Sequence, residues 1–162
     1  MEHSTHETDV AQFWNHLSKE PIVMLIDTFS GGLRCRPMAA RAREQEGVIW
    51  FLTDRDSAKV DEVFAKPDVA LAVSDTGSNL YISVTGKCTI VNDAAKIAEL
   101  WSVPDKVFFD GPDDPRIILL CVTPSEGQTW SGPSGPVAAV KMAFSILTGT
   151  KPDLGTAQKV QL

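Results

Sequence analysis

The sequence predicts a mainly β protein, a closed or half-closed antiparallel barrel with helices on its periphery. Three observations carry this. Six or seven short β-prone runs are separated by turn signals. The runs are not regularly alternated with helices, which disfavours a parallel doubly wound sheet. Neither the Gly-rich dinucleotide fingerprint nor the phosphate-binding P-loop is present. A length of 162 residues suits a single domain, 1–162, with 1–7 as a loose arm and 132–162 as a C-terminal extension.

Thr8 or Asp9 can cap a first helix, in which Val10, Phe13, Trp14 and Leu17 recur at helical spacing. Residues 22–26 form an apolar run closed by the turn Ser30-Gly31-Gly32. Residues 33–41 form the next run, residues 44–47 turn, and residues 48–52 are strongly β-prone. Such short connections predict an antiparallel meander. Asp56 or Ser57 can cap a short second helix stopped near Pro67. Residues 69–73 read as a strand, and 80–91 as a long strand bent at Gly86. Asp93 caps a third helix, AAKIAELW. Residues 104–115 read as a loop, 116–122 as a strand and 126–130 as one more. A hinge at 132–136 leads to an amphipathic segment at 137–147.

Composition narrows the function classes. Net charge is −6 and the pI about 5.0, which argues against a broad nucleic-acid footprint. No apolar run reaches bilayer length, and the opening MEHSTHETDVAQ is polar and acidic, so the expectation is a cytoplasmic protein without membrane contact. Cys35, Cys88 and Cys121 lack metal or disulfide spacing and read as small buried hydrophobes. His3, His6 and His16 all lie before the candidate site, which disfavours a Ser-His or Cys-His hydrolase and a metal centre.

Against this acidic background, residues 33–59 concentrate anion-binding groups. Arg36 and Arg41 lie on one run; Thr53, Ser57 and Lys59 follow the next, where a helix begins. Arginine matches phosphate oxygens with a planar fork, and lysine supplies a compact charge. A helix start adds free N–H groups and the positive end of its dipole. Solvated surface charges are the competing reading, and Asp56 opposes a phosphate unless its carboxylate turns away. Pro37 cannot donate to a ladder, which marks an edge or bulge where backbone groups stay free to meet a planar ring. Arg36 and Arg41 differ by an odd number of residues, so a regular strand sends them to opposite faces. On the 80–85 run, Tyr81, Ser83 and Thr85 share a polar face that either lines a pocket or meets solvent. Trp101, Phe108, Phe109 and Trp130 are candidates for ring stacking or a subunit interface, with Phe108-Phe109 favouring an interface.

The ordered segments CRPMAA, GVIWFLTDRDSAK, YISVTGKCTIVND, IAELW and FFDGPDDPRIILLCVTP, within residues 9–131, resemble the general stress protein branch of the pyridoxamine 5′-phosphate oxidase-like flavoproteins. The resemblance implies the FMN-binding split-barrel fold and a homodimer with FMN at the subunit interface. It assigns the phosphate to Arg36, Ser57 and Lys59. The isoalloxazine ring falls along Arg36, Pro37, Met38 and Ala39, with Leu52 and Thr53 close by. Arg41 falls where the oxidases have a lysine, Tyr81 where they have a glutamine near the ring, and Trp130 is carried over from the second subunit. The chain has Ser57-Ala58-Lys59 where the oxidases have Ser-Arg-Lys. Their C-terminal Arg- and His-bearing substrate motif has no counterpart in KPDLGTAQKVQL. The resemblance thus implies a flavin-dependent oxidoreductase of unidentified substrate, with a nicotinamide nucleotide or a small molecule as electron donor. A non-catalytic flavin binder or stress-linked sensor is the alternative. FAD would satisfy the same phosphate groups; a deazaflavin or haem is a further alternative, the haem version weakened by the lack of nearby histidine.

Overall fold

The computed structural model describes residues 3–19, 21–132, 145 and 156–161. Among them, eight strands form one antiparallel sheet: β1 Ile22–Phe29, β2 Gly32–Ala39, β3 Arg41–Arg43, β4 Val48–Asp54, β5 Asp68–Asp75, β6 Leu80–Val91, β7 Ile117–Ser131 and β8 Thr156–Gln161. The helices are α1 His3–Leu17, α2 Ala58–Ala65 and α3 Ala94–Leu100. The strand order is β2-β1-β5-β6-β7-β4-β3, and β8 pairs with β7. The predicted fold class, an antiparallel split barrel with peripheral helices, is the one observed.

The two ends of that path are a single residue apart in sequence. β2 and β3 flank Ala40, so the chain itself joins one rim of the sheet to the other. Ala40 is fully buried, and its N–H donates to the Pro21 carbonyl at 3.0 Å. The run expected at 33–41 is therefore two strands. Its first half pairs with β1 and its continuation with β4, which corrects the simple meander. The long strand β7 performs the split: residues 117–122 pair with β4, and residues 126–131 pair with β8 on that same edge.

Residues 116–122 and 126–130, expected as separate strands, run together as β7. Pro124 is accommodated because the β6–β7 register shifts between Thr85 and Gly86, leaving Ser125 unpaired. A bulge absorbs the missing N–H of proline. The Ser125 hydroxyl donates to the Thr85 carbonyl at 3.1 Å. Gly86, where the bend was expected, lies against the Thr123 carbonyl; a Cβ there would also meet Pro124 Cα at 3.0 Å.

Strand alternation sorts side chains between two cores. The barrel interior takes Phe13 and Leu17 of α1, Val23 and Leu25 of β1, Ile49 and Phe51 of β4, and Val63 of α2. Trp50 and Leu52, one step along β4, face a second core with Ile97 and Leu100 of α3 and Phe109. The period of two in β4 and the helical spacing of α3 bury opposite faces of one strand.

Several local expectations change. The helix expected from Thr8 begins at His3, inside the stretch read as a loose arm. Residues Val103–Val107, which overlap the loop expected at 104–115, form a 3-10 turn closed by a reciprocal capping box between Ser102 and Asp105. Phe109 is buried in the second core while Phe108 is 71% exposed, so the pair splits. Cys88 and Cys121 are buried, but Cys35 is exposed on the outer face of β2. Burial pushes the Cys88 thiol up to about 12. The segment expected at 137–147 lies outside the described residues, apart from Ser145.

Candidate functional site

β2 delivers the first cation. Arg34, Arg36 and Met38 alternate with the exposed Leu33, Cys35 and Pro37. Arg36 lies opposite Leu25, whose side chain is in the barrel core, so Arg36 enters from the inner side. One Nη donates to the Asp27 carboxylate and the other to Glu62 Oε2 at 2.5 Å. Asp27 is fully buried, and its Oδ1 has no hydrogen-bond partner among the described residues. Arg34 donates to Glu62 Oε1 at 2.9 Å and stacks over the Phe29 ring, 4.2 Å from its centroid.

β4 and α2 deliver the rest. Ser57 is the N-cap residue of α2, as expected, but its side chain makes no capping bond. Its hydroxyl instead lies 3.5 Å from that of Thr53, which is buried at the end of β4. The opposing Asp56 expected from the sequence is exposed. Lys59, in the first turn of α2, has its ammonium pKa lowered from the ordinary 10.5 by burial and then by the nearby Arg36 charge, against the attraction of Asp54, Asp27 and Glu62. Arg36 reaches α2 at Glu62, one helical turn beyond Lys59, which puts the two cations on the same side of that helix.

Arg41 is not part of this group. Residues 36, 38, 40 and 42 all face inward, so the odd spacing turns Arg41 to the opposite side. There its donors are taken by the Leu100 carbonyl at 2.9 Å, the Ala39 carbonyl at 3.3 Å, Ser102 Oγ at 3.1 Å and both Asp105 oxygens. It anchors α3 and the 3-10 turn to the barrel. The strand-parity argument against a shared pocket with Arg36 is the physical reason for the correction.

The ring-contact candidates divide as well. Pro37 is exposed, Ala39 is half-buried, and Met38 packs against the barrel core. Leu52 is buried in the second core, which leaves its backbone rather than its side chain for any ligand. Tyr81 and Trp130 face each other across β6 and β7, both partly exposed. They stand on the outer face, whereas Arg36 stands on the inner. β1 and β5 lie between β2 and β6, a separation of ~14 Å at ordinary strand spacing, and β7 lies one strand further along that path. One chain does not bring them to Arg36.

Elsewhere, a 340 Å³ cleft is lined by His16, Lys19, Pro21, Ile22 and residues 73–76, none of them predicted site residues. Among the described residues, no group of three or more His, Cys, Asp or Glu is placed to hold a metal ion, and no helix is long and apolar enough to cross a membrane. The acidic partners Asp27 and Glu62 are what sequence reading missed. Asp27 is the one charged residue in the apolar run of β1, and that was the available signal.

Comparison with known proteins places the chain in a family. The sequence model described as pyridoxamine 5′-phosphate oxidase like matches residues 8–153. The chain belongs to this family. Among solved structures, it is similar to a general stress protein 26 from Jannaschia, at 29% identity and a TM-score of 0.78, over 96% of this chain and 99% of that one. It is also similar to a general stress FMN/FAD binding protein from Xanthomonas citri, at 29% identity and a TM-score of 0.66, over 76% and 89% of the two chains. Among curated proteins, General stress protein 26 of Bacillus subtilis is 28% identical over 81 residues, 48% of this chain. That match spans 58% of the relative's length. This family membership rests on nearly the whole barrel, including β2, β4 and the start of α2.

Proposed function

We propose that the chain is a flavin-binding protein of the pyridoxamine 5′-phosphate oxidase-like family, with FMN as its cofactor and an oxidoreductase activity of unidentified substrate. The observation that carries this is the convergence of Arg36, which reaches α2 at Glu62, with Lys59 in the first turn of the same helix, where the Ser57 hydroxyl is uncommitted to capping and lies near Thr53. These groups fit a phosphate: a guanidinium fork, a compact ammonium, two hydroxyls and a helix N-terminus. FAD would meet the same groups. The description of the Xanthomonas citri relative as FMN/FAD binding supports the flavin reading without separating the two.

In this reading Arg36, Ser57 and Lys59 hold the phosphate, while the exposed backbone of β2 from Arg36 to Ala39, with Leu52 and Thr53, borders the ring. A bound flavin supplies the redox chemistry, and the protein supplies position and charge. Arg36 would hold positive charge beside β2, and the buried cores would keep water from one side of the site. Arg41 has no role at the ligand.

The reading includes a homodimer. The outer face of β1 and β2 carries Ile22, Met24 and Leu33, the last 74% exposed, and Tyr81 and Trp130 continue it on β6 and β7. Exposed apolar side chains spread over one outer sheet face in this way suit a second copy of the chain. The partner would then supply the Tyr81 and Trp130 side chains that one chain cannot bring to Arg36.

The visible spectrum of the purified protein tests the cofactor. A yellow protein, or a colourless one that takes up added FMN, supports the reading; a colourless protein that takes up neither FMN nor FAD overturns it. Arg36→Ala combined with Lys59→Ala should abolish retention while the circular dichroism stays native. Reduction by NADH or NADPH, with turnover on an acceptor, would distinguish an enzyme from a binder.

A further inference from the structure

Glu62 lies one helical turn beyond Lys59 on α2 and places each carboxylate oxygen on a different arginine: Oε1 on Arg34 at 2.9 Å, Oε2 on Arg36 at 2.5 Å. Its side chain is 14% exposed and that of Arg36 19%. A carboxylate bridging two guanidinium groups makes the fork-shaped match a phosphate makes. The second acid, Asp27, takes the other Nη of Arg36 and is fully buried, with Oδ1 unpartnered among the described residues. With Lys59 and Asp54 alongside, three cations face three carboxylates. A cluster so balanced does not attract a dianion by net charge; an acid has to let go first.

We propose that Glu62 is an internal competitor for the phosphate: it occupies Arg34 and Arg36 in the free protein and must release them when a phosphorylated ligand enters. Asp27 cannot play this part, because it is buried beneath Arg36 and holds that side chain from the core. Glu62 can, because it reaches from α2 at the rim. It then sets how much the phosphate adds to affinity and so determines specificity between phosphorylated and unphosphorylated flavins. This rests on the flavin reading above. The alternative role for Glu62 is a static tie of α2 to β2.

The test is equilibrium titration of wild type, Glu62→Gln and Asp61→Gln with FMN, riboflavin and inorganic phosphate. Glu62→Gln keeps the size and one acceptor oxygen but removes the charge, so FMN should bind about tenfold tighter while riboflavin stays within about twofold. Asp61→Gln makes the same change of net charge at an exposed neighbour, and should leave both ligands within about twofold. Weaker or unchanged FMN binding in Glu62→Gln, an equal shift for riboflavin, or an equal gain in Asp61→Gln overturns the proposal. Glu62→Ala, read the same way, serves if Glu62→Gln does not fold. If no flavin binds any variant, the flavin reading fails, and phosphate decides the rest: tighter phosphate binding in Glu62→Gln keeps Glu62 as the competitor, and no gain removes it.

Discussion

Arg41 and Asp105 hold each other in a buried ion pair, with Arg41 Nη2 2.6 Å from one carboxylate oxygen and 2.7 Å from the other. Asp105 also accepts from the Ser102 N–H at 2.8 Å and the Ser102 hydroxyl at 3.0 Å. One carboxylate thus caps the 3-10 turn and satisfies a guanidinium that is 3% exposed. Asp105→Ala leaves that guanidinium charged and unpaired, and should cost about 3–5 kcal/mol in urea unfolding. Arg41→Met combined with Asp105→Ala should recover part of the loss. Flavin affinity in the surviving folded fraction should hardly change, since Arg41 points away from Arg36.

Lys59 makes the proposed affinity sensitive to alkali. Its pKa is lowered, first by burial and then by Arg36. The phosphate needs the charged amine, so affinity is full below the free-state pKa and falls as pH rises through it, at a lower pH than an ordinary lysine at 10.5 would give. For folding of the free protein the sign reverses. The unfolded chain holds this proton more tightly, so the Lys59 contribution turns more favourable as pH rises from the folded value towards 10.5. Titrating FMN between neutral and alkaline pH, with Lys59→Arg as the control, should show the loss in wild type and a flatter curve in the variant.

Gly86 should tolerate no side chain. A Cβ would run into the Thr123 carbonyl and lie 3.0 Å from Pro124 Cα, and both are backbone atoms held by the bulge. Gly86→Ala should destabilise by about 1–3 kcal/mol through overpacking. Thermal unfolding measures it; a wild-type Tm would mean that the bulge can move.

The outer sheet face offers a test of the assembly. Leu33→Glu places a charge at the hairpin end of the outer face of β1 and β2, opposite Thr28 and on the other side of the sheet from the Arg36 cluster. Light scattering coupled to size exclusion should show half the wild-type mass. Flavin should be lost with the dimer if Tyr81 and Trp130 serve from the second copy. A Leu33→Glu protein that remains dimeric would place the interface elsewhere, with the exposed Phe108 the next candidate.

Sequence reading succeeded where the cause is local. Asp93 caps α3 with its own carboxylate, accepting from the Lys96 N–H at 3.1 Å, and Ser57 starts α2. Gly86 marks a real irregularity because glycine in a strand has few other reasons to be there. The odd spacing of Arg36 and Arg41 correctly separated their faces. What could not be read was set by distant partners. Asp105 lies far along the chain from Arg41, and nothing near either residue announces the other. The division at Ala40 was hidden because the inward–outward alternation runs through it without a break. Phe109 looked as exposed as Phe108 until the second core supplied a place for one of them. Glu62 went unread for the same reason, since a cation-rich segment says nothing about the acids folded against it; Asp27 left one sign, its charge in an apolar run.

The unbroken alternation through Ala40 has a consequence for what substitutions the chain can survive. From Arg36 to Ala42, every second residue points inward, on both sides of the corner. One residue inserted or deleted between Arg36 and Arg41 would exchange their faces, leaving Asp105 without its arginine or Glu62 without one of its two. The segment can therefore vary in composition but not in length. The five-residue interval that sorts one cation to Asp27 and Glu62 and the other to Asp105 is a counting rule written into the backbone.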